Sequence, residues 1–369
     1  MAKLGEGRRL TLGDVCQKGS SNIAQKDLVD NEGKYPIYGA SGFIKNVDFC
    51  HQKKSYIAVV KDGAGIGRTM LLPANSSVIG TMQYLIPKED VDIDVTYLYY
   101  AIDSMNLAKY YSGATIPHIY YKDYQKEPIN VPCLAIQREI ANAFMKIDQM
   151  IDWRNQQLQK LDELVKSRFV EMFGDPVSNP NSFVKKRLKD TCVIVTGNTP
   201  SRAVVEYYGD YIEWIKTDNI VQGILNPTTA VENLSEKGAE VGKIVEKNAI
   251  LMACIAGSVA SIGKVCITDR AVAFNQQINA ILPKEYNVLF LYVLFQISNV
   301  YLVEDLNMAL KGILSKSRLE SKEFIVPPLD LQNQFATFVT QVDKSKLAVQ
   351  KSLEQLEILK KSLMQAYFG

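Results

Sequence analysis

The feature that most constrains this chain is a repeat of its own sequence. The segment NVPCLAIQREIANAFMKIDQMID, which begins at Asn130, aligns with IVPPLDLQNQFATFVTQVDKSKL, which begins at Ile325. Val131 is thereby matched by Val326, and the offset, 326 − 131 = 195, holds without a gap until a final Phe-Gly in both copies. Two unrelated amphipathic helices would share leucine, but not the V-P-x-L-x-x-Q start and the Phe-Gly end. The chain therefore consists of two tandem units.

The blocks that precede these segments repeat more faintly. YIAVVKDGAGIGR, from Tyr56 to Arg68, is similar to AILMACIAGSVASIGK, from Ala249 to Lys264, with Ile66 matched by Ile262 (262 − 66 = 196). Apolar and β-branched runs closed by glycine predict strands at 56–60 and 250–255. Two further apolar stretches predict short buried helices at 96–105 and 288–297. Each unit is expected to be a mixed α/β globular part followed by a long helix.

The repeated segments themselves carry the pattern of long helices. Apolar residues recur at alternating steps of three and four, which gives each helix a face that another helix must cover. Prolines at 132 and 327 precede the helices, and Gly174 ends the first. The span Leu134 to Phe173 would be about 60 Å long at roughly 1.5 Å per residue. The predicted seam residues are Ile140, Phe144, Ile147, Ile151, Leu158 and Leu161 in the first helix and Phe335, Val342, Val349, Leu353 and Leu356 in the second.

Two charged residues interrupt the apolar seams. Arg154 fills a missing position in the first helix and Lys346 fills one in the second. A polar residue in a seam can specify the register between helices at some cost in stability. The alternative is that each side chain extends along the helix and reaches solvent. The sequence leaves both interpretations open.

The sequence lacks the motifs of common enzymes. The glycines at 63, 65 and 67 alternate and do not form G-x-G-x-x-G, and those at 257 and 263 are six apart where a phosphate-binding loop needs five. The only histidines are His51 and His118, and no other ligand cluster shows metal spacing. We therefore expect no catalytic residues, no bound cofactor and no metal in this chain.

Composition adds limits on location and partners. Lys and Arg number 42 and Asp and Glu number 40, a balance of +2 that neither demands nor forbids a nucleic-acid partner. The six scattered cysteines form no C-x-x-C pair, and the chain opens without an apolar leader, which favours a reduced, cytoplasmic protein. No apolar run approaches the roughly 20 residues that a bilayer requires.

Basic, amide and aromatic side chains are concentrated in several predicted loops. Between Phe43 and Arg68 the local charge balance is 5 − 2 = +3, and aromatic residues are interleaved. Arg and Lys suit phosphates and guanine edges, while Asn and Gln suit adenine. A solvated surface is the competing interpretation of each group. The candidate DNA-binding residues are Tyr38, Ser41, Lys45, Lys61, Arg68, Thr115, His118, Tyr120 and Lys122 in the first unit and Lys216, Thr217, Asn219, Ser258, Lys264, Asn275, Gln276, Lys311, Lys316 and Arg318 in the second.

Taken in order, these segments resemble the specificity subunit of type I restriction-modification systems. The resemblance covers nearly the whole chain and rests on KYPIYGASGFIKNVDF at 34–49, IAVVKDGAGIGR, FNQQINAILPK ending at Lys284, the two V-P-x-L-x-x-Q segments and MFGDP at 172–176. It implies an α+β fold with a pseudo-twofold repeat, in which two mixed α/β target recognition domains are joined by two long antiparallel helices forming a coiled coil. The implied boundaries are 1–130 and 176–325 for the domains and 131–175 and 326–369 for the helices.

The same resemblance implies a function and a set of partners. Each target recognition domain would read one half of a bipartite, asymmetric site in double-stranded DNA. The helices would set the gap and dock methyltransferase subunits, two of them, which bind S-adenosylmethionine, and motor-nuclease subunits can join. Two alternatives are a coiled-coil scaffold that never touches DNA and a self-sufficient methyltransferase or nuclease with unfamiliar motifs.

Overall fold

The chain forms two compact units, described in turn. In this computed structural model the described residues are 7–113, 117–255, 261–304 and 312–369. The first unit comprises residues 1–155 and 351–369, and the second comprises residues 156–350. Each unit therefore contains a globular part and one portion of each long helix. The predicted boundaries between domains and helices remain a prediction.

The first unit contains nine described strands and the start of a long helix. The strands are β1 (Arg8–Thr11), β2 (Cys16–Ser20), β3 (Tyr35–Gly39), β4 (Gly42–Val47), β5 (Tyr56–Val60), β6 (Thr69–Leu72), β7 (Ser77–Val78), β8 (Met82–Pro87) and β9 (Pro128–Val131). The helices are α1 (Leu12–Val15), α2 (Val95–Ser104), α3 (Tyr121–Tyr124) and α4 (Leu134–Phe173), of which the last continues beyond this unit. The strand predicted at 56–60 and the helix predicted near 96–105 are confirmed as β5 and α2.

Three sheets organise the first unit. The largest has the order β2-β8-β5-β6 and is antiparallel throughout. Its central strand β5 is buried along its whole length, so it reads as a continuous apolar run. A second sheet has the order β4-β3-β7, and β1 pairs with β9 in a third. Helix α2 packs its apolar face on the main sheet through Leu98, Ala101 and Ile102.

The second unit contains ten described strands. They are β10 (Lys185–Arg187), β11 (Cys192–Thr196), β12 (Tyr208–Ile215), β13 (Asn233–Leu234), β14 (Ile244–Val245), β15 (Ile250–Ala253), β16 (Val265–Ile267), β17 (Val272–Phe274), β18 (Ile278–Pro283) and β19 (Glu323–Ile325). The helices are α5 (Leu188–Thr191), α6 (Glu236–Val241), α7 (Val288–Ile297), α8 (Asn299–Val303), α9 (Lys316–Ser321) and α10 (Leu329–Phe368). Helix α7 is where the sequence predicts it. Strand β15 ends two residues earlier than predicted, because the amides of Cys254 and Ile255 both donate to the carbonyl of Gln277.

The sheets of the second unit repeat the plan of the first. The antiparallel order β11-β18-β15-β16 matches β2-β8-β5-β6, and the β10–β19 pair matches β1–β9. The first residue of β2, Cys16, pairs with Pro87, and the first residue of β11, Cys192, pairs with Pro283. The remaining sheet differs, since β13-β12-β17-β14 has four strands where the first unit has three. The faint repeat in the globular parts therefore reflects a shared sheet topology.

Both long helices have the predicted extent. Helices α4 and α10 are each 40 residues long, and their ends are related by the offset of the sequence repeat. Each begins two residues after its proline. Helix α4 ends at Phe173. The next residue, Gly174, has a φ of +74°, a left-handed conformation that favours glycine, and its amide donates to the carbonyl of Val170.

Within the first unit the two helices run antiparallel. Phe144 near the start of α4 stacks on Phe368 at the end of α10, with ring centroids 5.8 Å apart. One turn further along α4, Asp148 forms an ion pair with Lys360, with Oδ1 and Nζ 2.6 Å apart. Since residue numbers rise along one helix as they fall along the other, the pair has opposite directions, as the family resemblance implied.

The second unit shows the same direction of packing. Phe335 near the start of α10 packs edge-on against Phe173, with ring centroids 5.6 Å apart. The predicted seam residues of both helices are buried or half-buried, as expected of a covered face. Lys346 does not extend into solvent: its side chain is 13% exposed, and its ammonium donates to Asp162 (2.8 Å) and to the carbonyl of Gly223 (3.1 Å). Arg154 is half-buried.

A buried glutamine fastens each globular part to the start of its long helix. In the first unit, Gln137 accepts from the Asp94 amide (2.7 Å) and donates to the carbonyls of Pro132 (2.7 Å) and Asp92 (3.0 Å). Asp94 is also the N-cap of α2, so one glutamine links two helix starts.

In the second unit, Gln332 makes the corresponding hydrogen bonds. It accepts from the amide of Asn287 (2.8 Å), which caps α7, and donates to the carbonyl of Pro327 (2.8 Å). Both glutamines are fully buried. The glutamine of the V-P-x-L-x-x-Q segment thus has a structural reason for its place in both copies.

Candidate nucleic-acid interface

The turn after strand β5 brings the first group of predicted residues together. Gly63, Gly65 and Gly67 have φ values near +80°, which lets the chain reverse tightly between β5 and β6. Lys61 and Asp62, at the start of this turn, contact residues 118 and 119, which come much later in the chain. The Ile119 amide donates to the carbonyl of Lys61 (3.0 Å), and His118 Nδ1 is hydrogen-bonded to Asp62.

Arg68 connects this turn to the hairpin of β3 and β4. Its guanidinium donates to the carbonyl of Ala40 at the hairpin tip, 3.1 Å away. Ser41 occupies the tip beside Ala40, and Tyr38 packs edge-on against Phe43, whose side chain is 59% exposed. Arginine and hydroxyl side chains are common contacts to nucleic-acid phosphates, and exposed aromatic rings can stack on bases.

Tyr120 and Lys122 complete this group. The rings of His118 and Tyr120 lie 4.1 Å apart, and the Lys122 ammonium sits 5.3 Å from the Tyr120 ring. Tyr120 is about half exposed and Lys122 is exposed. We call this set the first polar surface; its members are Tyr38, Ser41, Phe43, Lys61, Asp62, Arg68, His118, Tyr120 and Lys122.

Two other predictions for the first unit fall elsewhere. The Lys45 ammonium donates to the carbonyls of Leu28 (2.9 Å) and Val29 (3.3 Å), so in this structure it holds the hairpin to the preceding chain. Thr115 lies outside the described residues.

In the second unit a different group forms at the end of strand β12. The Lys216 ammonium lies 5.1 Å from the Trp214 ring and pairs with Glu232. Arg202 donates to both oxygens of the same carboxylate, at 2.7 and 2.9 Å, and its guanidinium lies 4.4 Å from the Tyr208 ring. These two cations lower the pKa of Glu232 to about 2. We call Arg202, Tyr208, Trp214, Lys216 and Glu232 the second polar surface.

The predictions included Lys216 but missed Arg202 and Glu232. Arg202 precedes Lys216 by fourteen positions and Glu232 follows it by sixteen, and both lie outside the strands and helices. No spacing rule joins three such positions. Only the fold shows that β12 carries the aromatic rings between them.

The sequence predicts that Asn219 and Asn275 contact bases. In the structure both side chains make hydrogen bonds within the second unit. Asn219 is 6% exposed; its side-chain oxygen accepts from the Lys216 amide, and its nitrogen donates to Thr228 and to the Thr229 carbonyl. Asn275 is 5% exposed and bonds with Gln277. Both side-chain amides are therefore buried and hydrogen-bonded within the second unit, and their contact with bases stays a prediction.

The remaining predicted residues are placed as follows. Thr217 starts a half-buried 3-10 turn next to Lys216, and Gln276 is exposed and bonded to Thr199, three residues before Arg202. Lys264 is half-buried just before β16, and no described contact joins it to the second polar surface. Lys316 and Arg318 are exposed on α9, where Lys316 lies 3.6 Å from Glu320. Ser258 and Lys311 lie outside the described residues.

Histidine, cysteine and acidic side chains do not gather into a metal-binding group in the described part of the chain. No group of three or more His, Cys, Asp or Glu side chains there could hold a metal ion. All six cysteines are free, and burial raises the pKa of the Cys16 thiol to about 12, far from the thiolate range. Among the helices that the structure describes, none is long and apolar enough to cross a membrane.

Comparison with known families defines the class of this protein. The family model for the type I restriction modification DNA specificity domain matches twice, at residues 8–163 and 180–358. The two matches coincide with the two copies of the sequence repeat and together cover most of the chain. The chain therefore belongs to the family of type I restriction-modification specificity proteins.

Individual relatives agree with that assignment. The type I restriction enzyme MjaVIII specificity subunit of Methanocaldococcus jannaschii is 22% identical over 373 residues, which cover 91% of this chain and 86% of that protein. The HindI specificity subunit of Haemophilus influenzae is 34% identical over 117 residues, and the MjaIX specificity subunit of M. jannaschii is 27% identical over 194 residues. Those two matches span 24% and 43% of the relatives' lengths.

Solved structures agree with the fold. The type I S subunit from M. genitalium superposes with a TM-score of 0.62 at 16% identity, covering 98% of this chain and 96% of that one. A chain from work on complex assembly and conformational transition of the type I R-M system gives a TM-score of 0.56 at 15% identity, covering 100% and 99%. The α+β fold with two domains and two long helices is thereby confirmed.

Proposed function

We propose that this chain is the DNA sequence-specificity subunit of a type I restriction-modification complex and has no catalytic activity of its own. The observation that carries the proposal is duplication with divergence. The two units share a helical frame and a main sheet, but they present differently built polar surfaces. A protein that reads one repeated sequence would keep both surfaces alike, whereas one that reads an asymmetric, two-part site needs them to differ.

The chemistry of both surfaces suits DNA. Each combines arginine or lysine with aromatic rings, exposed or half-exposed at Phe43, Tyr120 and Tyr208 and buried at Trp214, and each places one carboxylate among the cations. Cations provide the salt-dependent attraction to phosphates, while base edges are read by directed hydrogen bonds. The balance of +2 over the chain supplies little general attraction. We therefore infer that partner subunits supply much of the affinity.

The partners follow from the family and from the exposed sides of the long helices. Large apolar side chains remain exposed on α4 at Met150, Trp153 and Leu164 and on α10 at Leu347 and Ile358. We propose that methyltransferase subunits, two of them, dock there, bind S-adenosylmethionine and act on the DNA that this chain selects in the cytoplasm. Motor-nuclease subunits would join the same complex.

The test is selection from a random double-stranded DNA pool by the complex reconstituted with its methyltransferase subunits. We expect two short conserved blocks separated by an unread gap of fixed length. Lys61→Glu should weaken preference in one block only, whereas Lys344→Glu, the same charge change at an exposed helix position, should leave both blocks intact. A single contiguous block, or none, would contradict the proposal.

A methylation assay separates the enzyme alternative. The purified chain is incubated with labelled S-adenosylmethionine and the selected DNA, with and without the methyltransferase subunits. We expect label in the DNA only when the partner is present. Methyl transfer by the chain alone would show that it carries a catalytic site.

A further inference from the structure

In the second polar surface, the two cations already bind a carboxylate of the protein itself, that of Glu232. Glu232 presents both carboxylate oxygens to Arg202, with Nη1–Oε1 and Nη2–Oε2 distances of 2.7 and 2.9 Å, and it also accepts from Lys216. This is the two-pronged geometry with which arginine binds a carboxylate, a phosphate or the O6 and N7 atoms of guanine. The donors that would contact DNA are therefore occupied by an acceptor of the same shape.

The cations are held in place independently of Glu232. The Arg202 guanidinium lies over the Tyr208 ring at 4.4 Å and near the Trp214 ring at 5.3 Å. Lys216 lies over the same Trp214 ring. Tyr208 is in turn fixed by its hydroxyl, which donates to the carbonyl of Pro200 (2.7 Å). If the carboxylate left, the arginine and lysine would remain oriented by these rings.

The carboxylate can leave without moving its backbone. The Glu232 carbonyl accepts from the Trp214 amide (3.1 Å), and the Ala230 amide donates to Glu213 (3.0 Å), so the chain on both sides of Val231 is anchored. The Glu232 side chain is 34% exposed and Arg202 is 54% exposed. A rotation of the Glu232 side chain into solvent is enough to uncover both cations.

We propose that Glu232 is an internal substitute for a DNA acceptor, which covers Arg202 and Lys216 until DNA displaces it. The ligand that replaces it is a pair of adjacent acceptor atoms, supplied either by a phosphodiester group or by the O6 and N7 atoms of a guanine. The proposal rests on the DNA-reading function given above and adds its regulation. Because DNA must break an existing ion pair before it gains a new one, a poorly placed acceptor binds less well than it would to free cations, which favours the correct site.

The main test compares two glutamates with the same change of charge. Glu232→Gln keeps the side-chain size. Glu206→Gln is the matched control, because Glu206 is exposed and its ion pair with Lys237 is long, with a separation of 3.9 Å. Binding of the reconstituted complex to random-sequence duplex DNA is measured against salt concentration. We expect Glu232→Gln to raise affinity about five-fold and, where the acceptor is a phosphate, to steepen the salt slope by about 1 to 2, since each added phosphate contact contributes about 0.9. Glu206→Gln should change affinity less than about two-fold, because it alters only the long-range attraction.

The possible results distinguish this inference from the function on which it rests. If the unmodified complex binds no DNA, the proposed function fails. If it binds DNA and the two glutamine variants behave alike, or if Glu232→Gln binds more weakly, the inference is overturned while the proposed function stands.

Substitution of Arg202 identifies the source of the acceptor. If it is a phosphate, Arg202→Ala should lower the salt slope by about 1 and weaken all sequences equally. If it is a guanine, the slope should hold while one G·C preference in a single half-site is lost. Arg202→Gln also removes the charge and the paired donors but keeps part of the side chain that lies over Tyr208, so it gives the same readout if the alanine variant does not fold. No change in either slope or preference would contradict the proposal.

Discussion

The two units hold their long helices together with equivalent residues in some places and with different residues in others. Gln137 and Gln332 are related by the repeat and make matching hydrogen bonds. Asp148 and Asp343 are related in the same way, but only Asp148 faces a lysine of the other helix, because Val165 occupies the position that corresponds to Lys360. The attachment of each globular part to its helix is thus kept, whereas the polar contacts along the helices have diverged.

The aromatic contacts at the helix ends show the same mixture. Phe173 and Phe368 are equivalent by the repeat and both pack near the start of the opposite helix. Phe173 is fully buried among Phe169, Phe290 and Phe335, whereas Phe368 is only partly buried beside Tyr97 and Phe144. The first unit therefore depends less on its terminal phenylalanine than the second unit does.

Truncation of these phenylalanines should give the largest difference. Phe173→Ala is expected to lower the free energy of unfolding of the second unit by about 4 kcal/mol, through lost burial and a cavity, and Phe368→Ala to lower that of the first by about half as much. Hydrogen exchange of β18 and β8, measured by mass spectrometry, reports the two units separately. Equal losses would show that the difference in burial has no energetic consequence.

The buried glutamines test whether the shared attachment is equally strong in both units. Gln137→Leu and Gln332→Leu keep the approximate volume but leave a buried amide and carbonyl groups without partners. Each should cost its own unit about 2–3 kcal/mol, since every unsatisfied buried polar group costs about 1–3 kcal/mol. The same exchange measurement applies, with Gln334→Leu as a control at an exposed position of α10. A loss in only one unit would mean that the two attachments are not energetically equivalent.

The elements with strong periodicity were predictable from sequence, and the partners of individual polar groups were not. The 40-residue helices, their apolar faces and the buried runs of β5 and β15 follow from local patterns. Asn219 and Asn275 have the residue type of base-contacting groups, but burial depends on neighbours distant in the chain. For the same reason, no local sequence pattern predicts the ion pair of Arg202 with Glu232, which are thirty residues apart.

Asp148 and Asp343 provide the smallest and sharpest test, because equivalent substitutions should have opposite signs. Asp148→Asn removes a partly buried ion pair with Lys360 and should destabilise the first unit by about 1 kcal/mol. Burial raises the pKa of Asp343 above its usual value, against a smaller opposing effect of Lys346. Asp343→Asn should therefore stabilise the second unit at pH 7 by roughly 0.5 kcal/mol, given its partial exposure.

The pH dependence checks the sign for Asp343. A carboxyl group whose pKa is higher in the folded state binds more protons there, so its contribution to stability falls as pH rises from the unfolded value, about 3.9, through the folded one. The advantage of Asp343→Asn over the parent should accordingly be present at pH 7 and vanish near pH 3.5. Hydrogen exchange cannot compare these two pH values directly, so urea unfolding followed by the fluorescence of Trp214, in a Trp153→Phe background, is the suitable measurement. An Asp343→Asn variant that is less stable than its parent at pH 7 would show that Asp343 is stabilised by its surroundings, as Asp148 is, and the two units would then be alike in this respect too.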